Sequence, residues 1–166
     1  ISTTGYTSRE LFQIRKEKKL SKGKDFYMVG GMGHASMVSL GISLNSRKKI
    51  ICLDGDGSIL MHLGSLRTFG NLGNSNLKHI LLNNNSHESV GGQPTGAMEI
   101  DFKKLVKSIG YKNYFKISRS KEISSTLKKF LNSKGPSFLE VLIAMGTLDN
   151  LSRPKDLIKI KNFFMD

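Results

Sequence analysis

Five short apolar runs punctuate this chain, and their character constrains the fold more than any other feature. They are "FYMVGG", "KIICLDGDG", "KHILLNNN", "YFKIS" and "PSFLEVLIAM". Within each, apolar residues follow one another rather than alternating with polar ones, as in strands buried on both faces. Segments of helical spacing separate them: "HASMVSLGISL", "SILMHLGSLRTFGNLG", "DFKKLVKSIGY" and "SKEISSTLKKFLNSKG". Strands that alternate with helices in this way predict an α/β, doubly wound fold, with a mostly parallel sheet of five to six strands and helices on both faces. No internal repeat or low-complexity linker divides the 166 residues, so residues 1–166 are expected to form a single domain with its own core.

Local signals place some of the boundaries. "TSRELFQIRKEKK" predicts a helix with Thr7 or Ser8 as N-cap, and Glu10 falls three after Thr7 as in a capping box. Asp101 and Ser120 are the expected caps of two later helices, and Gly64 weakens the helix in which it lies. The tail carries Pro154 and a weakly amphipathic "DLIKIKNFF".

Composition excludes several classes. Seventeen glycines, three prolines and no tryptophan suit an ordinary α/β domain rather than a disordered or fibrous chain. The single cysteine, Cys52, cannot form an internal disulfide, and its place within Ile50–Leu53 predicts a buried, inert thiol. No apolar run approaches the roughly 18 residues of a membrane span, and no signal peptide is visible; a cytoplasmic location is expected, with no membrane partner. The chain opens on Ile1 rather than Met, as a processed or cropped chain does.

The formal net charge of +13 raises the question of nucleic acid. Its distribution argues against it. Lys and Arg crowd Arg15 to Lys24, Arg47 to Lys49, Lys103 to Lys134 and the tail, whereas between Ile50 and Phe102 only Arg67 and Lys78 are basic. Aromatic side chains do not interleave with the basic clusters as single-strand stacking requires. No nucleic-acid partner is expected; a basic surface that attracts a polyanionic substrate or cofactor is the milder reading.

In an open α/β sheet, ligands bind beyond the carboxyl ends of the strands. Three unusual turns fall there: Gly30-Gly31-Met32-Gly33, Gly55-Asp56-Gly57-Ser58, and Asn83-Asn84-Asn85-Ser86-His87. The first two lead into helices, whose first N–H groups suit phosphate, and glycine lets backbone approach a ligand closely. An acidic residue in such a place needs a cation between itself and the phosphate. Asp56 therefore points to Mg²⁺, a hard cation commonly held by one or two carboxylates plus substrate phosphates. Asn84 offers a neutral oxygen to complete the set, and the Ser86 carbonyl a third ligand. A cation there also explains why the segment from Leu53 to Gly96 has so little lysine.

At these residues the sequence resembles the thiamin-diphosphate enzymes, whose signature is GDG, an interval, then NN. Here Gly55-Asp56-Gly57 is followed by 25 residues, Ser58 to Leu82, and then Asn83-Asn84. The stretches "STTGYTSRELF", "DFYMVGGMGHAS", "DGDGSILMHLGSL" and "NNNSHESVGGQPTG" resemble the phosphonopyruvate decarboxylases, with sulfopyruvate decarboxylase as nearest relative; the likeness runs from about Ser2 to Ala97 and returns in "SRP" at Ser152 to Pro154. The resemblance implies the thiamin-diphosphate-binding fold, with thiamin diphosphate and Mg²⁺ as cofactors. Asp56, Asn84 and the Ser86 carbonyl would hold Mg²⁺, Gly57 and Ser58 would contact the diphosphate, Gly30 would offer its carbonyl to the pyrimidine, and Met32 would lie beneath the cofactor. Gly31, His34 and Gly55 belong to the same cofactor-binding turns. Asn85 stands where the family usually has glycine, and Asn tolerates the left-handed conformation that the turn needs. His87 is the candidate for orienting the substrate's phosphonate or carboxylate. His62 and His79 carry no assigned role, and Glu88 reads as a site acid or an ordinary loop residue, with the loop reading preferred.

The implied reaction is decarboxylation of 3-phosphonopyruvate to phosphonoacetaldehyde and CO₂, in phosphonate biosynthesis. It needs a Glu from a pyrimidine-binding domain. None of Glu10, Glu17, Glu99, Glu122 or Glu140 lies in a suitable pattern, so that domain is expected in an absent N-terminal region or a separate subunit, within a homo- or hetero-oligomer. The alternatives are a sulfopyruvate decarboxylase beta-type subunit and a non-catalytic diphosphate-binding module.

Overall fold

A computed structural model describes residues 1–18 and 24–165 of the chain. Its elements in order are helices α1 (Tyr6–Glu17) and α2 (Ala35–Leu44), strand β1 (Ile50–Gly55), helices α3 (Asp56–Met61) and α4 (Ser65–Leu72), strand β2 (Leu77–Asn83), helix α5 (Phe102–Ser108), strand β3 (Asn113–Ile117), helix α6 (Ile123–Asn132), strand β4 (Ser137–Leu142) and helix α7 (Leu157–Met165). The strands form one sheet in the order β1-β2-β4-β3, and every pairing is parallel.

Both faces of the sheet are covered, as the unbroken apolar runs require. Ile50, Cys52, Leu77, Leu81 and Phe138 turn to one face and pack with Leu40, Leu66, Phe69, Phe102 and Val106 of α2, α4 and α5. Their neighbours Ile51, Leu53, Ile80, Leu82, Leu139 and Val141 turn to the other, where Phe130 of α6 closes the core. Each large side chain removed from water in this way contributes roughly 1.5–3 kcal/mol. Cys52 is fully buried and free, as its apolar run predicted. Lys78 is buried as well. Its ammonium donates to the Ser133 carbonyl at the end of α6 and lies over the Phe130 ring, so one of the two basic residues of the lysine-poor segment serves the core.

The expected first strand, "FYMVGG", is the main departure. Only Tyr27 pairs, through a single bridge to Ser2, which in turn bridges Leu53 of β1. The turn that follows, with Gly30, Gly31 and Gly33 at φ of 85°, 59° and 87°, takes the backbone out of extended geometry before a strand can grow. Four full strands and two single-residue lanes thus stand where five to six strands were expected. Numbered along the chain, the six lanes run 2-1-3-4-6-5, with Ser2 as lane 1 and β1 as lane 3. The chain leaves lanes 1 and 3 in opposite directions across the sheet, so the topological switch point lies between Ser2 and β1.

Helix boundaries depart from expectation where tertiary contacts take the capping side chains. The helix from Tyr6 has Gly5 as N-cap, with no side-chain cap. Ser8 lies inside α1 instead, and its hydroxyl donates to the Thr3 carbonyl at 2.6 Å, which fastens the helix to the Ser2 lane. The expected end of this helix, Lys19, falls outside the described residues. The segment around Gly64 is two helices rather than one weakened helix: α3 ends at Met61 and α4 starts at Ser65. Asp101 caps α5 as expected, accepting from the Lys104 backbone N–H at 3.0 Å. Ser120 does not cap; the Glu122 carboxylate takes the Ser118 and Arg119 N–H groups at 3.1 and 3.2 Å. Among the described residues no helix is long and apolar enough to cross a membrane.

Candidate functional site

The register of β1 against β2 sets Gly55 beside Leu82, so the two acid- and amide-rich turns leave the sheet side by side. Between them and the Ser2 lane opens a cleft lined by Thr3, Thr4, Met32, Gly55, Asp56, Gly57, Ser58, Asn84, Ser86, His87 and Glu88. It lies at the switch point that the lane order defines.

The three asparagines divide the work of the turn. Asn83 is fully buried; its Nδ2 donates to Glu140 at 3.2 Å, and its Oδ1 accepts from the Asn85 N–H at 3.1 Å. Asn85 takes the left-handed conformation, φ 58°, that its place in the turn predicted. Its Oδ1 accepts from the Met98 N–H at 3.2 Å. Asn84, between them, faces the cleft. Its Nδ2 donates to Glu88 Oε2 at 2.6 Å and its Oδ1 accepts from the Ser86 N–H at 3.1 Å. The long loop that follows folds back on itself: Ser86 bridges Pro94, His87 N–H donates to the Gln93 carbonyl, and Thr95 N–H to the Asn85 carbonyl. Thr95 is thereby delivered to Asp56, whose Oδ2 accepts its hydroxyl at 2.6 Å.

These residues meet the requirements of a hard cation. Asp56 is buried, and only its Oδ2 is engaged among the described residues. The Ser86 carbonyl accepts no hydrogen bond there. Ser86 Oγ, in the same wall, is buried without a partner among the described residues. One carboxylate oxygen, one amide oxygen and one carbonyl make a donor set of oxygen alone, which suits Mg²⁺ rather than a softer metal.

The glycine-rich turn is clipped onto this site through Ser58. That hydroxyl accepts from the Gly33 N–H at 3.0 Å and lies 2.7 Å from the Thr3 hydroxyl. Gly57 has a packing reason to be glycine, since a Cβ there would stand 2.3 Å from Nδ1 of His87. The imidazole of His87 thus rests on the GDG turn. Of the residues predicted from sequence, the cleft gathers Met32, Gly55, Asp56, Gly57, Ser58, Asn84, Ser86 and His87. Gly30, Gly31 and His34 are exposed and do not line it, although the Gly30 N–H donates to the hydroxyl of Thr4 in the cleft wall at 3.2 Å. His34 is turned by its Nδ1, which lies 3.2 Å from the carbonyls of Gly31 and Met32, and its ring packs 4.3 Å from that of His62.

Sequence reasoning missed Thr3, Thr4, Glu10, Thr95 and Gly146, and took Glu88 for an ordinary loop residue. The structure corrects the last: Glu88 stands in the cleft wall, with one oxygen on Asn84 and the other accepting from the Gly146 N–H. No spacing rule links Glu88 to Gly146, 58 positions away. Beneath the GDG turn lies a further buried group. Asp54 Oδ1 accepts from the Gly55 N–H at 3.2 Å, its Oδ2 meets His79 Nε2 at 3.3 Å, and His79 Nδ1 meets the Tyr111 hydroxyl at 2.8 Å. Cys52 adjoins them within metal-ligand distance, but both ring nitrogens of His79 are already committed, so the cluster is a hydrogen-bonded support. Burial opposes charge on His79, yet Cys52 and Asp54 beside it outweigh burial and lift its pKa to about 9.

Comparison with known proteins bears on the same residues. Residues 3–141 match the family described as thiamine pyrophosphate enzyme, C-terminal TPP binding domain. The chain is 39% identical over 155 residues to phosphonopyruvate decarboxylase of Streptomyces viridochromogenes, a match that covers 93% of this chain and 38% of that protein. It is 37% identical to phosphonopyruvate decarboxylase of Streptomyces hygroscopicus, covering 93% of the chain and 37% of the relative. It is 36% identical to the sulfopyruvate decarboxylase subunit beta of Methanothermobacter thermautotrophicus, covering 90% of the chain and 75% of that subunit. The chain thus spans less than two-fifths of the first two relatives and most of the third.

Proposed function

The chain belongs to the family of C-terminal, TPP-binding domains of thiamine pyrophosphate enzymes, and from that premise we propose that it forms the diphosphate- and Mg²⁺-holding half of a 2-keto acid decarboxylase acting on 3-phosphonopyruvate. One observation carries the reading: the GDG and NN turns converge on a single cleft at the sheet's switch point, where Asp56, Asn84 and Ser86 bring hard oxygen donors into one wall. Asp56, Asn84 and the Ser86 carbonyl hold the cation. The first-turn backbone of Gly57 and Ser58 contacts the diphosphate, while the Ser58 hydroxyl is kept for the Thr3 and Gly33 clip. Met32 supports the cofactor from the cleft wall. Thiamin diphosphate, when bound, supplies the carbanion-stabilising chemistry of decarboxylation, and the protein's part is to hold and orient it. His87, resting on Gly57, orients the anionic head of the substrate. Gly30, Gly31 and His34, which are exposed, face the pyrimidine-binding half, which supplies the catalytic Glu.

The coverage of the relatives favours a second reading beside the first. Because the chain spans 75% of a sulfopyruvate decarboxylase beta subunit, it fits equally a separate subunit that works with a partner on the sulfonate analogue. The two substrates share a keto acid and differ in the anionic head.

Calorimetric titration of the full protein, or of the chain with its partner subunit, with thiamin diphosphate and Mg²⁺ tests the proposal. Saturable heat that disappears in Asp56→Ala is expected; no heat in the complete assembly overturns the reading. Turnover of phosphonopyruvate and sulfopyruvate by the same preparation then separates the two substrates.

A further inference from the structure

Glu88 makes two contacts that no single structural role requires. Its Oε2 accepts from Asn84 Nδ2 at 2.6 Å, and its Oε1 accepts from the backbone N–H of Gly146. A carboxylate oxygen here can only accept, so it must face the amide nitrogen of Asn84 and never its oxygen. The Asn84 oxygen is thereby turned the other way, where one lone pair takes the Ser86 N–H at 3.1 Å and the second is left for the cleft. Gly146 belongs to the segment that follows β4 and crosses the cleft's rim, where Ile143 and Gly146 are among the lining residues. A second carboxylate holds the same segment: Glu10 Oε1 accepts from the Thr147 hydroxyl at 3.1 Å and the Leu148 N–H at 3.3 Å.

We propose that Glu88 is a positioning residue for the cation site, fixing through one oxygen which end of the Asn84 amide faces the metal and fastening through the other the 146–148 strap across the rim. The inference rests on the cation-binding reading of the cleft. Thr95 stands in the same relation to Asp56, since its hydroxyl occupies Oδ2 and leaves Oδ1 to the metal. Partners of this kind set the orientation and basicity of metal ligands, and their loss typically costs about 10- to 100-fold in affinity. An alanine at position 88 removes the contact that orients the Asn84 amide and releases the Gly146 end of the strap, leaving Glu10 on Thr147 and Leu148. A glutamine keeps one acceptor, enough for Asn84 or for Gly146 but not both. Cation binding and strap closure therefore share one side chain.

The test uses the full protein with thiamin diphosphate and Mn²⁺ as the probe cation, followed by electron paramagnetic resonance. Glu88→Ala is expected to raise the Mn²⁺ dissociation constant roughly 10- to 100-fold, with Glu88→Gln between it and the unmodified protein. Hydrogen exchange should show faster exchange of the Gly146 amide in Glu88→Ala, with Glu88→Gln no faster than it, while cation-free melting temperatures stay alike. Asp56→Ala serves as reference. If it abolishes Mn²⁺ binding while Glu88→Ala stays within twofold of the unmodified protein, the positioning role is overturned and the cation site stands. If Asp56→Ala leaves Mn²⁺ binding intact, the cation site is overturned and this inference with it. A uniform fall in melting temperature, with no grading between Ala and Gln in affinity, would mark Glu88 as a fold contact alone and overturn the proposal.

Discussion

His79 is enclosed by the sheet with both ring nitrogens engaged, one by the Asp54 carboxylate and one by the Tyr111 hydroxyl. Its pKa of about 9 exceeds the unfolded value of about 6.5. A group whose folded pKa is raised adds stability that is complete below its unfolded pKa and is lost as pH climbs through the folded one. The contribution is on the order of 3 kcal/mol by the pKa difference, and the window runs from about pH 6.5 to pH 9. Urea midpoints at the two ends of that window should fall with pH in the unmodified protein and change much less in His79→Gln; parallel slopes would contradict the assignment. The residue shows what one-dimensional reading can and cannot find. Asp56 and Asn84 were legible because their chemistry is odd for a phosphate site and their interval is fixed by the α3, α4 and β2 unit that joins the two turns. His79, Thr95 and Glu88 were not, because Asp54 and Tyr111 for His79, Asp56 for Thr95 and Gly146 for Glu88 arrive only when distant segments pack. A strand histidine, a loop threonine and a loop glutamate carry no local sign of what they will meet.

At the scale of elements, the apolar runs gave away the parallel sheet because burial on both faces leaves no room for alternation. The Ser2 lane stayed hidden because one residue of pairing leaves no period to detect, and the Tyr27 lane, expected as a full strand, is cut to one bridge by the glycine turn after it. Two helical glycines show how packing, rather than propensity, decides the outcome at this level. Gly41 in α2 has open space where a Cβ would stand. Alanine there gains helix propensity and restricts the unfolded chain, worth about 0.5–1 kcal/mol. Gly70 in α4 would place its Cβ 2.4 Å from the Ile109 carbonyl and 3.1 Å from the Tyr111 ring. The obstacle is backbone, which cannot move aside as a flexible side chain would, so the same substitution must push α4 off the segment after α5. Overpacking of this kind costs typically 1–3 kcal/mol, about as much as propensity returns or more. Gly41→Ala is therefore expected to raise the urea midpoint and Gly70→Ala to lower it. Equal shifts in the two variants would mean that propensity, not the α4 contact, governs both.

For the whole molecule, the decisive property of the cleft is that its walls come from parts of the chain far apart in sequence. Thr3 and Thr4, Met32, the GDG turn, the Asn84–Glu88 turn and Gly146 meet only in the finished fold. A ligand that bridges them binds the native state and has almost no site in the unfolded chain, so its binding free energy becomes stability. At about 100 times the dissociation constant the gain is about 2.7 kcal/mol. The sign of the charges dictates an order. Asp56 is buried and on the proposed reading stands where the diphosphate arrives, and two anionic groups at close range repel strongly in a partly desolvated site. Thiamin diphosphate alone is therefore expected to shift the melting temperature of the complete protein little. Mg²⁺ alone should do the same, for three protein oxygens leave a six-coordinate cation half supplied by water. Together they should give the full shift, and EDTA should remove it. In Asp56→Asn the repulsion is gone along with the metal's carboxylate, so the cofactor's effect should become small and independent of Mg²⁺. A full shift from thiamin diphosphate in the presence of EDTA would show that the cleft binds diphosphate without a cation, and the purpose assigned to the GDG and NN turns would have to be given up.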